Sequence, residues 1–328
     1  MIGSKKRTQV RSRAANSISA QTKKAASPQS HCKLSRLGVA SRIPNPKCMP
    51  TLSPTASGLR DYYGALARIG VIYMASSTVM EPELYAMAPT GVSIHTTRIR
   101  LPDVTASGIA QMMGSDDVDR CASLLADAPL QVITFGGTGA TFLNGIGWDR
   151  TIIRRMEEST HGIPCSTTAS AVIRALRALS LKRISVVTPY VDEITGRART
   201  FLEGSGFEVL SAKGLGLSTD QAIAEVPLDR VYEFATTNCH SDADGLFISC
   251  TNLRTVGALE ALEQQLGRPV ISSTQATFWD CLRVAHATVL VPNFGRLFFA
   301  EVPGGIDANL FHGGRPDSTI GPLLLTIC

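Results

Sequence analysis

Cys250 closes the apolar run Gly245-Leu246-Phe247-Ile248-Ser249-Cys250 and is followed at once by Thr251-Asn252-Leu253-Arg254-Thr255. A thiol at the mouth of a strand, beside a hydroxyl, an amide and a run of backbone N–H groups, is a candidate for acid–base or nucleophilic work. Those neighbours are expected to draw its pKa down toward the working range. The corresponding place earlier in the chain, Val132-Ile133-Thr134-Phe135-Gly136-Gly137-Thr138-Gly139-Ala140-Thr141, has the same strand-then-loop form but holds glycine where a second thiol could stand. No His or second Cys adjoins Cys250 in sequence, so His-assisted acyl transfer has little local support; His95 and His286 could reach it only in space.

The glycine loop is neither of the familiar nucleotide cradles. Phe142 stands where a dinucleotide fingerprint needs its third glycine, and no Gly-Lys-Ser/Thr follows. What remains is exposed backbone N–H with the hydroxyls of Thr138 and Thr141, a natural seat for a carboxylate or oxyanion, or else a tight turn in a packed sheet. Ser166-Thr167-Thr168 with Ser170 either caps the following helix or touches a ligand. Pro189-Tyr190 places a phenol at another strand exit, where it can donate to a developing enolate or find a backbone partner in the core.

These loops must be positioned by a regular frame. Apolar, β-branched runs predict strands over Ile69–Met74, Val92–Arg98, Gln131–Phe135, Ile184–Thr188, Glu208–Ala212, Gly245–Ser249 and Pro269–Ser273. Between them, helix-period segments run over Ala106–Met113, Asp116–Ala126, Ala169–Leu179, Glu193–Gly204, Leu228–Thr237 and Val256–Leu266, and Gln275–His286 reads as a further helix. Alternation of this kind predicts an α/β protein with parallel sheets. We expect two similar Rossmann-like lobes related by a pseudo-twofold axis. One covers about residues 66–177, with about 276–301 returning to it; the other covers 178–275. Ligands in such sheets bind beyond the strands' carboxyl ends, so the site is expected in the cleft between the lobes.

Composition narrows the function classes. The chain has 328 residues, 44% hydrophobic and 18% charged, with a net charge of +5. Residues 1–60 hold 12 of the 32 Lys and Arg and no acid, which leaves 20 basic against 27 acidic side chains in the rest. A body of that sign has no footprint for nucleic acid. The basic N-terminal extension is expected to be disordered, as a transit peptide for an organelle or as an appended tail. No apolar stretch is long enough for a bilayer, which predicts a cytoplasmic protein, or an organellar one if the tail is a transit peptide. The eight cysteines, Cys32, Cys48, Cys121, Cys165, Cys239, Cys250, Cys281 and Cys328, form no CxxC pair, so no metal site is expected.

Six motifs then carry a resemblance: Ser76-Ser77-Thr78-Val79-Met80-Glu81-Pro82-Glu83-Leu84, Phe135-Gly136-Gly137-Thr138-Gly139, Pro164-Cys165-Ser166-Thr167-Thr168, Thr188-Pro189-Tyr190, Ser249-Cys250-Thr251-Asn252-Leu253-Arg254 and Ser272-Ser273-Thr274-Gln275-Ala276-Thr277-Phe278-Trp279-Asp280. From about Arg68 to Arg283 the chain resembles the aspartate/glutamate racemase superfamily. The branch is that of maleate cis-trans isomerases, arylmalonate decarboxylases and ectoine-utilisation proteins. The resemblance implies a site without cofactor that acts on a small carboxylate through an enediolate, a carbanion or a thiol adduct. It also implies that Cys250 moves the proton, that Tyr190 and Thr138 hold the carboxylate or enediolate, and that N–H groups at Gly139 and Thr251 assist, with Asn252 in the same loop. Gly137 resembles the decarboxylases, which keep one thiol where racemases and isomerases have two. Gly139 replaces a serine of those decarboxylases, and Ser77 an asparagine of the isomerases. Val92–Arg98 reads like the ectoine-utilisation relatives, which makes Arg98 either a carboxylate ligand or a solvated charge at a strand end.

Overall fold

The computed structural model describes residues 63–300. The expected disordered extension over residues 1–60, and the last residue of the returning segment, lie outside the described residues. In chain order the elements are β1 (Ala67–Met74), α1 (Met80–Met87), β2 (Val92–Ile99), α2 (Ala106–Gly114), α3 (Asp117–Ala126), β3 (Val132–Gly136), α4 (Thr138–Phe142), α5 (Trp148–Ser159), β4 (Cys165–Thr167) and α6 (Thr168–Ala178). They continue with β5 (Arg183–Tyr190), α7 (Asp192–Gly204), β6 (Glu208–Leu217), α8 (Asp220–Glu225), α9 (Leu228–Asn238), β7 (Gly245–Ile248), α10 (Leu259–Leu266), β8 (Val270–Ser272) and α11 (Ser273–Val284).

The strands form two four-stranded sheets of the same order, β2-β1-β3-β4 and β6-β5-β7-β8, and every pairing is parallel. This is the expected α/β architecture of two similar halves. Burial explains why the sequence spelled the central strands clearly. β3 and β7 are buried at every position and β1 at all but one, so they read as unbroken apolar runs. The edge strands β2 and β6 are only partly covered and carry Ser93, His95, Thr97 and Lys213 among their apolar residues. β6 extends five residues past the expected Ala212, because two register shifts against β5 let it follow that strand as far as Tyr190.

Several elements lack the pattern that was read. β4 is three residues, Cys-Ser-Thr, without an apolar run, and it pairs with β3 through Thr134 and its neighbours. The hydroxyls there serve structure: Thr167 Oγ1 accepts the Ser170 N–H at 3.2 Å, capping α6. α1 carries Pro82 in its first turn, where a missing N–H costs nothing. α5 buries Ile152 and Met156, one helical turn apart. The helix expected over Gln275–His286 begins two residues earlier, at a capping box between Ser272 and Gln275.

α11 packs on α6, β3 and α1, and is buried along nearly its whole length. Its Asp280 takes a two-pronged ion pair from Arg174 of α6, with both contacts at 2.5 Å, and a further bond from Ser166 Oγ at 2.5 Å. Among the described residues no helix is long and apolar enough to cross a membrane.

Candidate active site

Two strand exits build the site. β3 ends at Gly136, Gly137 turns the chain (φ −146°, ψ 91°), and α4 begins at Thr138. The N–H groups of a first helical turn have no carbonyl behind them, so those of Thr138, Gly139 and Ala140 are available to an anion. Thr138 is buried, and its Oγ1 has no hydrogen-bond partner among the described residues. On the other side β7 ends at Ile248, and Cys250 sits at φ 100°. A residue other than glycine in that region costs on the order of 1–3 kcal/mol and persists only where its surroundings over-determine it. Here they do. The Cys250 N–H donates to Ser273 Oγ at 3.0 Å, and the Asn252 N–H donates to the Cys250 sulfur at 3.3 Å. Thr251 Oγ1 donates to the Gly136 carbonyl at 3.1 Å and so ties one strand mouth to the other.

Gly137, Thr138, Gly139, Tyr190, Cys250, Thr251 and Asn252 line one cleft. Its far wall is apolar: Met74, Leu101, Val104, Ile109 and Met112. Burial pushes the Cys250 thiol up to about 12, and the negative charge of Asp220 pushes the same way; the Tyr190 hydroxyl and the N–H groups of Asn252 and Leu253 only partly offset them. The expectation of a thiol drawn down toward neutrality is therefore corrected. Backbone donors are present, but desolvation of a thiolate outweighs them. The sulfur rests as S–H, a proton donor. Burial also raises Tyr190 well above the ordinary phenol, with Cys250 and Asp220 adding to the effect, so its hydroxyl keeps its proton.

Two expected ligands stand outside the cleft lining. Ser77 is buried and donates its hydroxyl to Asn252 Oδ1 at 2.9 Å, while the Thr78 N–H donates to the same oxygen at 3.1 Å. Asn252 Nδ2 in turn donates to the Asp220 carbonyl at 2.8 Å. Asn252 lines the site, but its amide is spent on joining three loops. Arg98 forms an ion pair with Glu81 at 2.8 Å, donates to the carbonyls of Ser77 and Ala75 at 3.1 and 3.3 Å, and lies over the Tyr73 ring. Arg98 is exposed near the end of β2 and lies outside the cleft lining, where it fastens the Ala75–Glu81 loop.

The apolar wall, Ala140 and one charged residue lie outside the sequence expectations for the site. Asp220, at the first position of α8, reaches the cleft and is the only charged side chain among its lining residues. Thr219 signals a helix start, but nothing near it in the sequence announces a cleft. Its approach to Cys250 depends on β6 and β7 lying in one parallel sheet, with β5 between them, so that their exits share one end.

The arrangement offers neutral donors for an oxyanion, one protonated thiol and an apolar wall. The model of the family described as "Arylmalonate decarboxylase" matches residues 69–298. The chain is 33% identical over 170 residues to the arylmalonate decarboxylase of Bordetella bronchiseptica, covering 51% of this chain and 70% of that one. It is 28% identical over 243 residues to the maleate isomerase of Geobacillus stearothermophilus, covering 70% and 96%. The crystal structure of a cysteine-to-alanine variant of the maleate isomerase from Pseudomonas putida S16 with maleate superimposes with a TM-score of 0.68 at 30% identity, covering 71% of this chain and 98% of that one.

Proposed function

Because the chain belongs to the arylmalonate decarboxylase family, we propose that it is a cofactor-independent enzyme that forms an enediolate from a small carboxylate or dicarboxylate and protonates it from Cys250. The observation that carries this reading is a buried, protonated thiol sharing its cleft with Gly137. One thiol serves one face of a carbon. That suits decarboxylation followed by one-sided protonation better than racemisation, which needs an acid and a base on opposite faces. In this reading residues 66–177, with about 276–301, form one lobe, residues 178–275 form the other, and the reaction runs between them.

A malonate would lose carbon dioxide as the electrons of the breaking C–C bond pass into the remaining carboxylate, giving an enediolate. Thr138 Oγ1, the N–H groups of Gly139 and Thr251, and the Tyr190 hydroxyl are the donors for its two oxygens. In an enclosed site each well-aimed donor is worth about 2.7–4 kcal/mol. Cys250 S–H then gives its proton to the carbon, and the thiolate, unfavourable in its buried seat, takes a proton back from water. The apolar wall accommodates a hydrocarbon substituent. Ser77, Asn252 and Arg98 act one step back, holding the loops that hold the donors.

The test is incubation in deuterium oxide with methyl(phenyl)malonate, maleate, and D- and L-aspartate, followed by NMR. Carbon dioxide release and one deuterium at C2 of an enantiomerically enriched product are expected from the malonate. Exchange or isomerisation of the other acids, with the malonate inert, would move the assignment to an isomerase. No turnover and no exchange on any acid would sink the enzyme reading.

A further inference from the structure

The cleft presents a charge problem for a carboxylate site. Every donor aimed into it is neutral, and its one charged lining group, Asp220, is itself an acid. The Asp220 side chain is buried and fixed: Oδ2 accepts from Ser76 Oγ at 2.6 Å, and its main-chain carbonyl accepts from Asn252 Nδ2 at 2.8 Å. Oδ1 has no hydrogen-bond partner among the described residues. Among the described residues no Lys or Arg forms an ion pair with it, and its charge acts on both Cys250 and Tyr190, which places it beside the reacting end of the cleft.

A carboxylate that lines the cleft with one oxygen held and the other without a partner among the described residues is an acceptor that a bound molecule's donor can use. Resting on the reading of Cys250 as the proton donor to an enediolate, we propose that Asp220 is a specificity-determining residue: it receives a hydrogen-bond donor, an ammonium or a hydroxyl, carried by the substrate on or next to the carbon that Cys250 protonates. A second carboxylate seated there would meet a like charge in a poorly screened site. A methyl group there would leave the acid unpaired. The preferred substrate is thus a carboxylate bearing an amino or hydroxy substituent. With aminomalonate the products would be carbon dioxide and glycine, the C2 proton coming from Cys250 and being replaced from water.

Three malonates of one skeleton separate the possibilities: aminomalonate, hydroxymalonate and methylmalonate, with kcat/KM read from carbon dioxide release. Wild type is expected to favour the amino or hydroxy acid over methylmalonate by tenfold or more. Asp220→Asn, which keeps the bond from Ser76, is expected to erase most of that preference when the donor is ammonium, and to reduce it about threefold or less when it is hydroxyl. A wild-type enzyme that decarboxylates methylmalonate as well as the others overturns the inference while leaving the proposed function intact.

If no malonate reacts, binding decides independently. Calorimetry with phenylglycine, mandelate and phenylacetate is expected to show tighter binding of phenylglycine or mandelate to wild type; Asp220→Asn should erase a preference for phenylglycine and weaken one for mandelate about threefold or less, and Asp220→Ser should weaken either. Equal affinities for the three acids, or a preference for phenylacetate, would refute the role of Asp220. A wild-type preference that Asp220→Ser weakens, in a protein that turns over no malonate, would refute only the proposed reaction.

Discussion

The two strand mouths of this protein occupy equivalent places in sheets of identical order, yet they have opposite characters. The mouth of β3 is glycine, unpaired hydroxyl and open N–H, all neutral and all suited to holding negative charge. The mouth of β7 is a strained cysteine, bound through its N–H, approached at its sulfur by the Asn252 N–H, and kept protonated by burial. Duplicated architecture therefore does not imply duplicated chemistry. In the proposed reaction one half holds charge and the other moves a proton, and the difference rests on a single side chain present on one side and absent from the other.

The most forceful way to break the comparison is to empty the proton side. Cys250→Ala is expected to lower kcat by about 10²- to 10⁴-fold, the range for a positioned acid, with KM changed far less because the proposed oxyanion donors are other groups. A parallel loss of binding, measured by calorimetry with phenylacetate, would show that Cys250 was also a binding group. Next comes the helix that begins at the β7 mouth. α11 offers Ser273 Oγ to Cys250 at one end and Asp280 to Arg174 further along. Asp280→Ala leaves Arg174 without its buried partner and is expected to cost about 3–5 kcal/mol in denaturant unfolding. A loss under 1 kcal/mol would mean that water reaches the guanidinium.

Glu83 of α1 ties the first half to the loop after Cys250, accepting the N–H groups of Thr255 and Val256. Burial raises its carboxyl to about 7 despite those bonds. A carboxyl whose folded pKa lies above its unfolded value contributes stability that is complete below about pH 4.5 and lost as pH rises through about 7. The linked change is on the order of 3 kcal/mol. Wild type should lose thermal stability between pH 5 and pH 8, whereas Glu83→Gln should show a flatter profile over that window; matching profiles would remove Glu83 as the titrating group.

The smallest effect should come from trying to make the mouths alike. A Cβ on Gly137 would lie 2.7 Å from both Met74 Cε and the ring of Phe135. The methionine end can move, but the fully buried ring cannot. Gly137→Cys is expected to cost about 1–3 kcal/mol by overpacking, and adding Met74→Ala should recover part of it. Only with a second thiol present should the deuterated product lose its enantiomeric excess with time. A neutral Gly137→Cys would show that the glycine is not imposed by packing.

Much of this frame was legible in the chain because it rests on local rules. Buried central strands must be apolar along their length, so β1, β3, β5 and β7 stood out, and with them the exits that carry Gly137, Tyr190 and Cys250. β4 was hidden because three residues rich in hydroxyls carry no period. The contacts of Arg98 were hidden because its sequence position at a strand end says nothing of Glu81 or of the carbonyls it meets.

By itself the sequence determined that this is a two-sheet α/β protein with one thiol at one strand mouth and glycine at the other, since identity and order along a strand are local properties. Only the tertiary structure decided that the thiol rests protonated, that Asn252 and Arg98 hold loops, and that Asp220 stands in the cleft. Desolvation and Coulomb interaction depend on what surrounds a group in space, and here those surroundings come from segments far apart in the chain.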